Sequence, residues 1–276
     1  MLKLTPIKSE KIWGYELWIA STHPNGCQKD FKQFCGGDYP LLVKLIQAND
    51  TLSIQVHPDD KDAVRLEGEG NRGKTECWYV LDAAPGAKIV YGLKEGAKRD
   101  LLAQAIQDSA LDPYLNYVEV HAGDLVYIPA GSVHAICGGL RLLEVQQSCD
   151  LTYRLYDWGR GREVHIQKGL EVIKTKDMIP PAPFGGQFEC AYFNLERKDV
   201  RGGWSMYNSE GVQLIYVLSS EKAVIRGPGD QFGKTIYKED IYAVAPGDKI
   251  TIECKASIIR IKSLIASPFG LAMTIS

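Results

Sequence analysis

The dodecapeptide GDLVYIPAGSVH, residues 123–134, decides how this chain reads. After a Gly123-Asp124 turn, Leu125 and Tyr127 alternate with Val126 and Ile128, a period of two that predicts a β-strand. Pro129 and Gly131 stop it, because proline brings no ladder donor and glycine permits a tight bend. His134 then opens a second strand. A hairpin of this kind points the histidine inward from a rigid element, a suitable place for a metal ligand. Alone, a histidine on an apolar strand reads as an ordinary hydrogen-bonded core residue.

Working outward, residues 41–46 (LLVKLI) form a strand apolar on both faces and therefore central. Residues 52–57 (LSIQVH) alternate as a second strand. Residues 75–81 and 88–91 make a hairpin, and strands resume at 117 and run to 146. Residues 1–40 read as irregular and 59–73 as a loop or short helix. Leu101, Leu102, Ala105 and Ile106 recur at helical spacing behind Asp100, a candidate cap. A second helix is expected over 163–174, with Ile166, Leu170 and Ile173 on one face. The PPAPFGG linker (180–186) separates an N-terminal catalytic domain, 1–183, from a second β-domain, 184–276, expected to consist of short strands. The fold class is all-β with helical insertions in the N-terminal half.

An internal repeat supports two copies of one β-fold. Residues 78–81 (WYVL) and 89–92 (IVYG) have counterparts in 215–218 (IYVL) and 224–227 (VIRG). Matching Gly123-Asp124 to Gly247-Asp248 sets Glu76 against Gln213 and His134 against Ile258. No histidine follows His165, so the chemistry belongs to the first copy.

Of the 276 residues, 45% are hydrophobic, enough for a substantial core and about two domains. The net charge of −2 is mixed along the chain without a basic run, which argues against a nucleic-acid partner. A small anionic substrate needs only a local cluster of cations. There is no apolar leader segment and no run of membrane-spanning length. Seven cysteines without a Cys-x-x-Cys pair read as reduced thiols of a cytoplasmic protein. Nothing in the sequence sets an oligomeric state.

In the first copy, Gln55 and His57 lie two apart on one strand and so share a face. Glu76 and His134 each begin another strand. Two imidazoles, a carboxylate and an amide oxygen make an N/O site that suits Zn²⁺ with an open position, while Fe²⁺, Mn²⁺ and Ni²⁺ also match the ligand types. The competing reading makes Gln55 and Glu76 strand-end surface residues.

The spacing Gly123-x5-Pro129-x-Gly131-x2-His134 resembles the second motif of the cupin β-barrels. Residues 39–46 (YPLLVKLI), 52–60 (LSIQVHPDD), 73–80 (GKTECWYV), 128–136 (IPAGSVHAI) and 144–160 (EVQQSCDLTYRLYDWGR) resemble the short, bacterial-type form of type I phosphomannose isomerases. Together they cover most of residues 11–160. The resemblance implies two cupin-like jelly-roll barrels and one Zn²⁺ per chain, held by Gln55, His57, Glu76 and His134. It also implies a catalytic Arg154, Lys74 just ahead of the metal-binding glutamate, and Ser53 near the substrate phosphate. The expected substrate is a sugar phosphate, mannose 6-phosphate, interconverted with fructose 6-phosphate through a cis-enediolate. Arg154 then acts electrostatically, Lys74 and Glu144 contact substrate, and the proton-transfer base is Lys74, Glu144 or a metal-bound water. Departures are Cys149 for the usual serine, Cys137 for a common glycine, and Gly14-Tyr15 for a double glycine.

Elsewhere, His121 reads as structural, His165 as the start of a helix within reach of the cleft, Arg160 and Arg162 as able to meet the phosphate but more often solvated in such a Gly-rich turn, and Cys77 as core. An iron-dependent dioxygenase of the same fold would leave Lys74 and Arg154 without a purpose. A non-catalytic sugar-phosphate sensor would have no need of the complete ligand set.

Overall fold

The structure is a computed structural model that describes residues 1–174 and 178–265. Its contacts divide into two units. One comprises Lys8–Trp18 and Val43–Pro183; the other comprises Met1–Ile7, Ile19–Leu42 and the chain from Phe184 onward. The division thus breaks at the linker, but two N-terminal segments group with the C-terminal sheet. Strand pairing is the reason for the first: Leu2 and Lys3 pair antiparallel with Ala243 and Tyr242. Such non-local pairing leaves no local signature in sequence.

The larger unit is built on two antiparallel sheets. In the first, the strand order is Ala182–Pro183, Asp124–Ile128, Glu76–Ala83, Leu140–Gln147, Leu41–Ala48, Gly14–Ala20, Ile7–Lys11. In the second it is Tyr153–Tyr156, Ile54–Val56, His134–Ile136, Lys88–Leu93, Leu115–Glu119. Apolar residues of both sheets, among them Ile46, Trp78, Val126, Leu142, Ile89, Tyr91 and Ile136, pack into one buried cluster between them. The outer face of the five-stranded sheet carries Ile54, Val56, Val90, Ala135, Tyr153 and Leu155. These pack with Leu102, Ala105 and Ile106 of helix Arg99–Gln107 and Val172 of helix Ile166–Val172. Since successive strand residues face opposite ways, this burial forces Ser53, Gln55, His134 and Arg154 onto the inner face. Packing therefore aims the polar residues.

Residues 1–40, expected to be irregular, hold the strands Ile7–Lys11 and Gly14–Ala20 and the helix Lys29–Cys35. The Trp13 carbonyl accepts from the Asn49 and Asp50 amides, and a Cβ on Gly14 would lie 1.9 Å from the Gln47 carbonyl oxygen. That close approach is what Gly14 permits. The first expected helix forms as Arg99–Gln107, but its N-cap is Lys98, and Asp100 sits in the first turn, where its charge favours the helix dipole. The second is shorter than 163–174, spanning Ile166–Val172. Its Gly169 lies where a Cβ would come 2.4 Å from Leu155 Cδ2, so the glycine lets helix and sheet touch.

In the other unit the main strands are long: Phe193–Tyr207, Gln213–Arg226 and Lys249–Ser263. The Ser219-Ser220 and Lys222 region is absorbed by register shifts between Val217 and Ser219 and between Glu221 and Val224. Breaker residues here bend strands without ending them.

The register also corrects the repeat. Asp124 Oδ2 accepts from the His121 amide and Asp240 Oδ2 from the Tyr237 amide, each ahead of a strand whose end pairs with Glu76 or Gln213. Asp124 therefore corresponds to Asp240, Gly131 to Gly247, and His134 to Ile250 in place of Ile258. By the same register Gln55 opposes His134 as Met206 opposes Ile250. His57 then matches Asn208, and Glu76 matches Gln213. In the second copy Gln213 Nε2 donates to Asn208 Oδ1 at 2.6 Å, while Met206 and Ile250 belong to the apolar core. An amide pair and two apolar side chains fill the space that the first copy gives to charge.

Candidate metal centre

Two imidazoles and a carboxylate meet between the sheets. His57, Glu76 and His134 are buried, and a ligand atom from each lies within 4.8 Å of the others. His134 Nε2 is 3.4 Å from Glu76 Oε1, and His57 Nε2 is 3.6 Å from Glu76 Oε2. Each ring is oriented from behind: His57 Nδ1 lies 2.9 Å from the Leu151 carbonyl and His134 Nδ1 2.9 Å from the Ser132 carbonyl. A carbonyl can only accept, so both Nδ1 atoms carry the proton and both Nε2 lone pairs point to the centre. Trp78 packs edge-on against His134, with ring centroids 5.6 Å apart.

Gln55 joins them, its Nε2 standing 3.4 Å from His134 Nε2. Exchanging the amide oxygen and nitrogen by rotation would turn a ligating oxygen inward. Glu76 is fully buried, and neither of its oxygens receives a well-formed hydrogen bond from a described residue. Its nearest charge is Lys74 Nζ, 2.9 Å from Oε2 and also 3.1 Å from His57 Nε2. An under-satisfied buried carboxylate facing two imidazole lone pairs is the donor set a divalent cation requires.

Electrostatics agree with that chemistry. Burial pushes the His57 pKa well below its ordinary value, and the Lys74 ammonium lowers it further, so the ring is neutral and able to ligate. Burial acts to raise the Glu76 carboxyl, but the Lys74 ammonium opposes it, and the group is held well below the usual carboxylate range. Glu76 is therefore ionised.

A cavity of about 350 Å³ opens beside the cluster. Ser53, Gln55, Lys74, Glu144 and Arg154 line it, and Gln55 and Lys74 connect it to the cluster of His57, Glu76 and His134. Arg154 is Gln55's cross-strand partner. Cys77, His121 and His165 stay out of the cluster. His121 is exposed beside Glu119, and His165 Nδ1 accepts from the Arg154 amide at 3.2 Å.

Sequence reasoning passes over Lys44, Glu16, Trp13 and Lys11, which also line the cavity; Arg162, read as either a phosphate contact or a solvated side chain, lines it too. Lys44 is the clearest omission: a buried lysine 3.1 Å from Glu144 Oε1, whose other oxygen accepts from Trp78 Nε1 at 3.1 Å. Burial alone would lower the Lys44 pKa, but Glu144 and Glu16 raise it above the ordinary lysine range. The signal was available as one lysine in an otherwise apolar LLVKLI strand. Glu16 and Trp13 carried none, because the strand that bears Glu16 was not foreseen.

Fold and site together define a β-sandwich protein with a buried His/Glu/His cluster of metal-binding geometry. Residues 25–77 match the family Phosphomannose isomerase type I, catalytic domain. The mannose-6-phosphate isomerase ManA of Bacillus subtilis (strain 168) is 36% identical over 228 residues, 77% of this chain and 70% of that protein. The mannose-6-phosphate isomerase of Streptococcus mutans is 41% identical over 247 residues, 77% of each. The crystal structure of the Bacillus subtilis mannose 6-phosphate isomerase superposes with a TM-score of 0.82 at 26% identity, covering 94% of this chain and 98% of that one. A mutant phosphomannose isomerase from Salmonella typhimurium, 14% identical with a TM-score of 0.76 over 96% of this chain and 100% of that one, shares the fold. The chain belongs to the type I phosphomannose isomerase family.

Proposed function

We propose that this chain interconverts mannose 6-phosphate and fructose 6-phosphate through a cis-enediolate, with Gln55, His57, Glu76 and His134 holding one divalent cation, Zn²⁺ by ligand type. The observation that carries this reading is the convergence of those four side chains with Lys74 and Arg154 around one cavity. The bound cation would supply Lewis acidity toward the carbonyl and hydroxyl oxygens of C1 and C2. The chain's own residues do the rest.

Moving a proton between C1 and C2 builds negative charge on two oxygens. Arg154 stays protonated at any working pH and stabilises that charge from Gln55's neighbouring strand. Lys74 and Glu144 both face the cavity, which supports either of them, beside a water on the cation, as the group that carries the proton. Glu144 is engaged on both oxygens, by Lys44 and by Trp78. Ser53 lies two residues before Gln55 and lines the same cavity, which supports a contact with the phosphate end of the substrate.

A coupled assay for fructose 6-phosphate, run with and without chelator, tests the proposal. Turnover lost to chelator and restored by Zn²⁺ supports it. A protein that binds the sugar phosphate with no turnover under any metal refutes it.

A further inference from the structure

Lys74 lies outside any strand. Gln55, His134, Glu144 and Arg154 are strand residues, so ladder pairing sets their direction. The strand that carries Glu76 begins at Glu76 itself, and upstream of Lys74 the chain runs exposed through Gly68, Glu69, Gly70 and Asn71. The Lys74 ammonium nevertheless stands 2.9 Å from Glu76 Oε2 and 3.1 Å from His57 Nε2. A lysine head on its flexible four-carbon stem is only as well placed as the backbone beneath it.

Three consecutive amides hold that backbone. Gly73 N–H donates to Asp60 Oδ1 at 2.8 Å, Lys74 N–H to the Pro58 carbonyl at 3.0 Å, and Thr75 N–H to Gln147 Oε1 at 2.9 Å. Gln147 closes the circuit: its Nε2 donates to the same Asp60 Oδ1 at 3.0 Å, and its backbone N–H donates to the Thr75 carbonyl at 3.2 Å. One end of this buried side chain must accept from an amide while the other donates to a carboxylate. A carboxamide does both; a carboxylate or an aliphatic chain does not. Gly73 permits the approach, because a Cβ there would come 2.6 Å from Asp59 C and Asp60 N. Residues 58–60 follow directly on His57, so these bonds tie Lys74 to the segment that carries a ligand. Glu76 has its own support, paired in the ladder with Gln146 and Ile128.

Resting on the isomerase reading, which gives Lys74 its work on the substrate, we propose that Gln147 and Asp60 are positioning residues for Lys74. Neither lines the cavity. Together they fix the peptide units on both sides of the lysine, and the ammonium is thereby delivered to the cavity from a rigid base.

The test uses the metal-loaded enzyme with mannose 6-phosphate as substrate, together with hydrogen exchange over residues 72–76. Gln147→Met keeps the side chain's length and removes both of its bonds. It should lower kcat about 10- to 100-fold, the scale of a misplacement near 1 Å. Metal content should stay stoichiometric while the amides of 73–75 lose protection. Asp60→Ala should behave alike, and Asp60→Asn should lose less, because asparagine keeps the Oδ1 acceptor. A double-mutant cycle separates positioning from a merely structural role: in a Lys74→Met background, Gln147→Met should cost less than about threefold, since the group it places is gone. Gln147→Met with wild-type kcat, or with the same loss in both backgrounds, overturns the proposal while the isomerase reading stands. Where Lys74→Met leaves no measurable rate, an Asp60→Asn enzyme no better than Asp60→Ala overturns it instead. If the wild type turns over no mannose 6-phosphate, the isomerase reading fails and exchange alone decides the clamp. Unchanged protection at 73–75 in Gln147→Met then overturns it, and faster exchange sustains it.

Discussion

Glu76→Gln should expose how much of the centre is a charge problem solved by neighbours. Glu76 and Lys74 are both buried, 2.9 Å apart, and neither carboxylate oxygen has a well-formed hydrogen bond to compensate it. In metal-free protein the substitution leaves the Lys74 ammonium buried against neutral His57, and stranding one partner of a buried pair costs about 3–5 kcal/mol. For a domain of this size each kcal/mol lowers Tm by about 2–4 °C, so the variant should melt roughly 6–20 °C below wild type in chelator. A second substitution, Lys74→Met, removes the stranded charge and should return most of that loss. Neither variant should retain stoichiometric metal. Differential scanning calorimetry in chelator and metal analysis after reconstitution give the two readings. If the double variant melts no higher than Glu76→Gln alone, the ion pair is not the source of the loss and the electrostatic account of the centre is wrong.

Four further outcomes follow from the same geometry. His134→Ala should lose metal while the far-ultraviolet circular dichroism of the β-sheets persists; unchanged metal content would remove that residue from the ligand set. Arg154→Ala should keep its metal but lose about 10²–10³ in kcat, the usual consequence of deleting a donor to a developing oxyanion, and a rate near wild type would end its assigned role. Glu67 accepts from Lys168 at 2.8 Å and from the Tyr153 hydroxyl at 2.7 Å, and these bonds hold its pKa below the ordinary carboxylate value. A depressed folded pKa gives stability that is full above the unfolded value, about 4.3, and lost as pH falls through the folded one; Glu67→Gln should therefore flatten the acid limb of a stability–pH curve below about pH 4.5, measured by urea titration. Burial pushes the Cys137 thiol up to about 11, leaving on the order of one thiolate in a thousand at pH 8. Iodoacetamide mapping at that pH should label exposed Cys254 first and leave Cys137 and the buried Cys77 and Cys149 unmodified until unfolding.

Much of this was legible in one dimension. Strand periodicity marked the elements that carry Gln55, His57, Glu76 and His134, because a period of two survives wherever one face is buried. Ligand type and the i, i+2 spacing of Gln55 and His57 were enough to nominate a metal centre. The N-terminal strands escaped, since the hairpin around Gly14 is set by contact with residues 47–50 and its own segment has a weak pattern. The repeat was visible, but its phase was off: two Gly-Asp turns looked alike, and only the ladder pairing of Gln213 with Val244 showed that Asp240 occupies the place of Asp124.

What the sequence determined by itself, then, is which side chains can face inward, because alternation and turn residues are local properties of the chain. Tertiary structure alone decided which of them meet. Lys44 joins Glu144 across adjacent strands, and the Leu151 carbonyl fixes the His57 imidazole. Those pairings join residues 100 and 94 positions apart, and an ion pair or hydrogen bond of that span is selected by the register of the folded sheets, which no local pattern encodes.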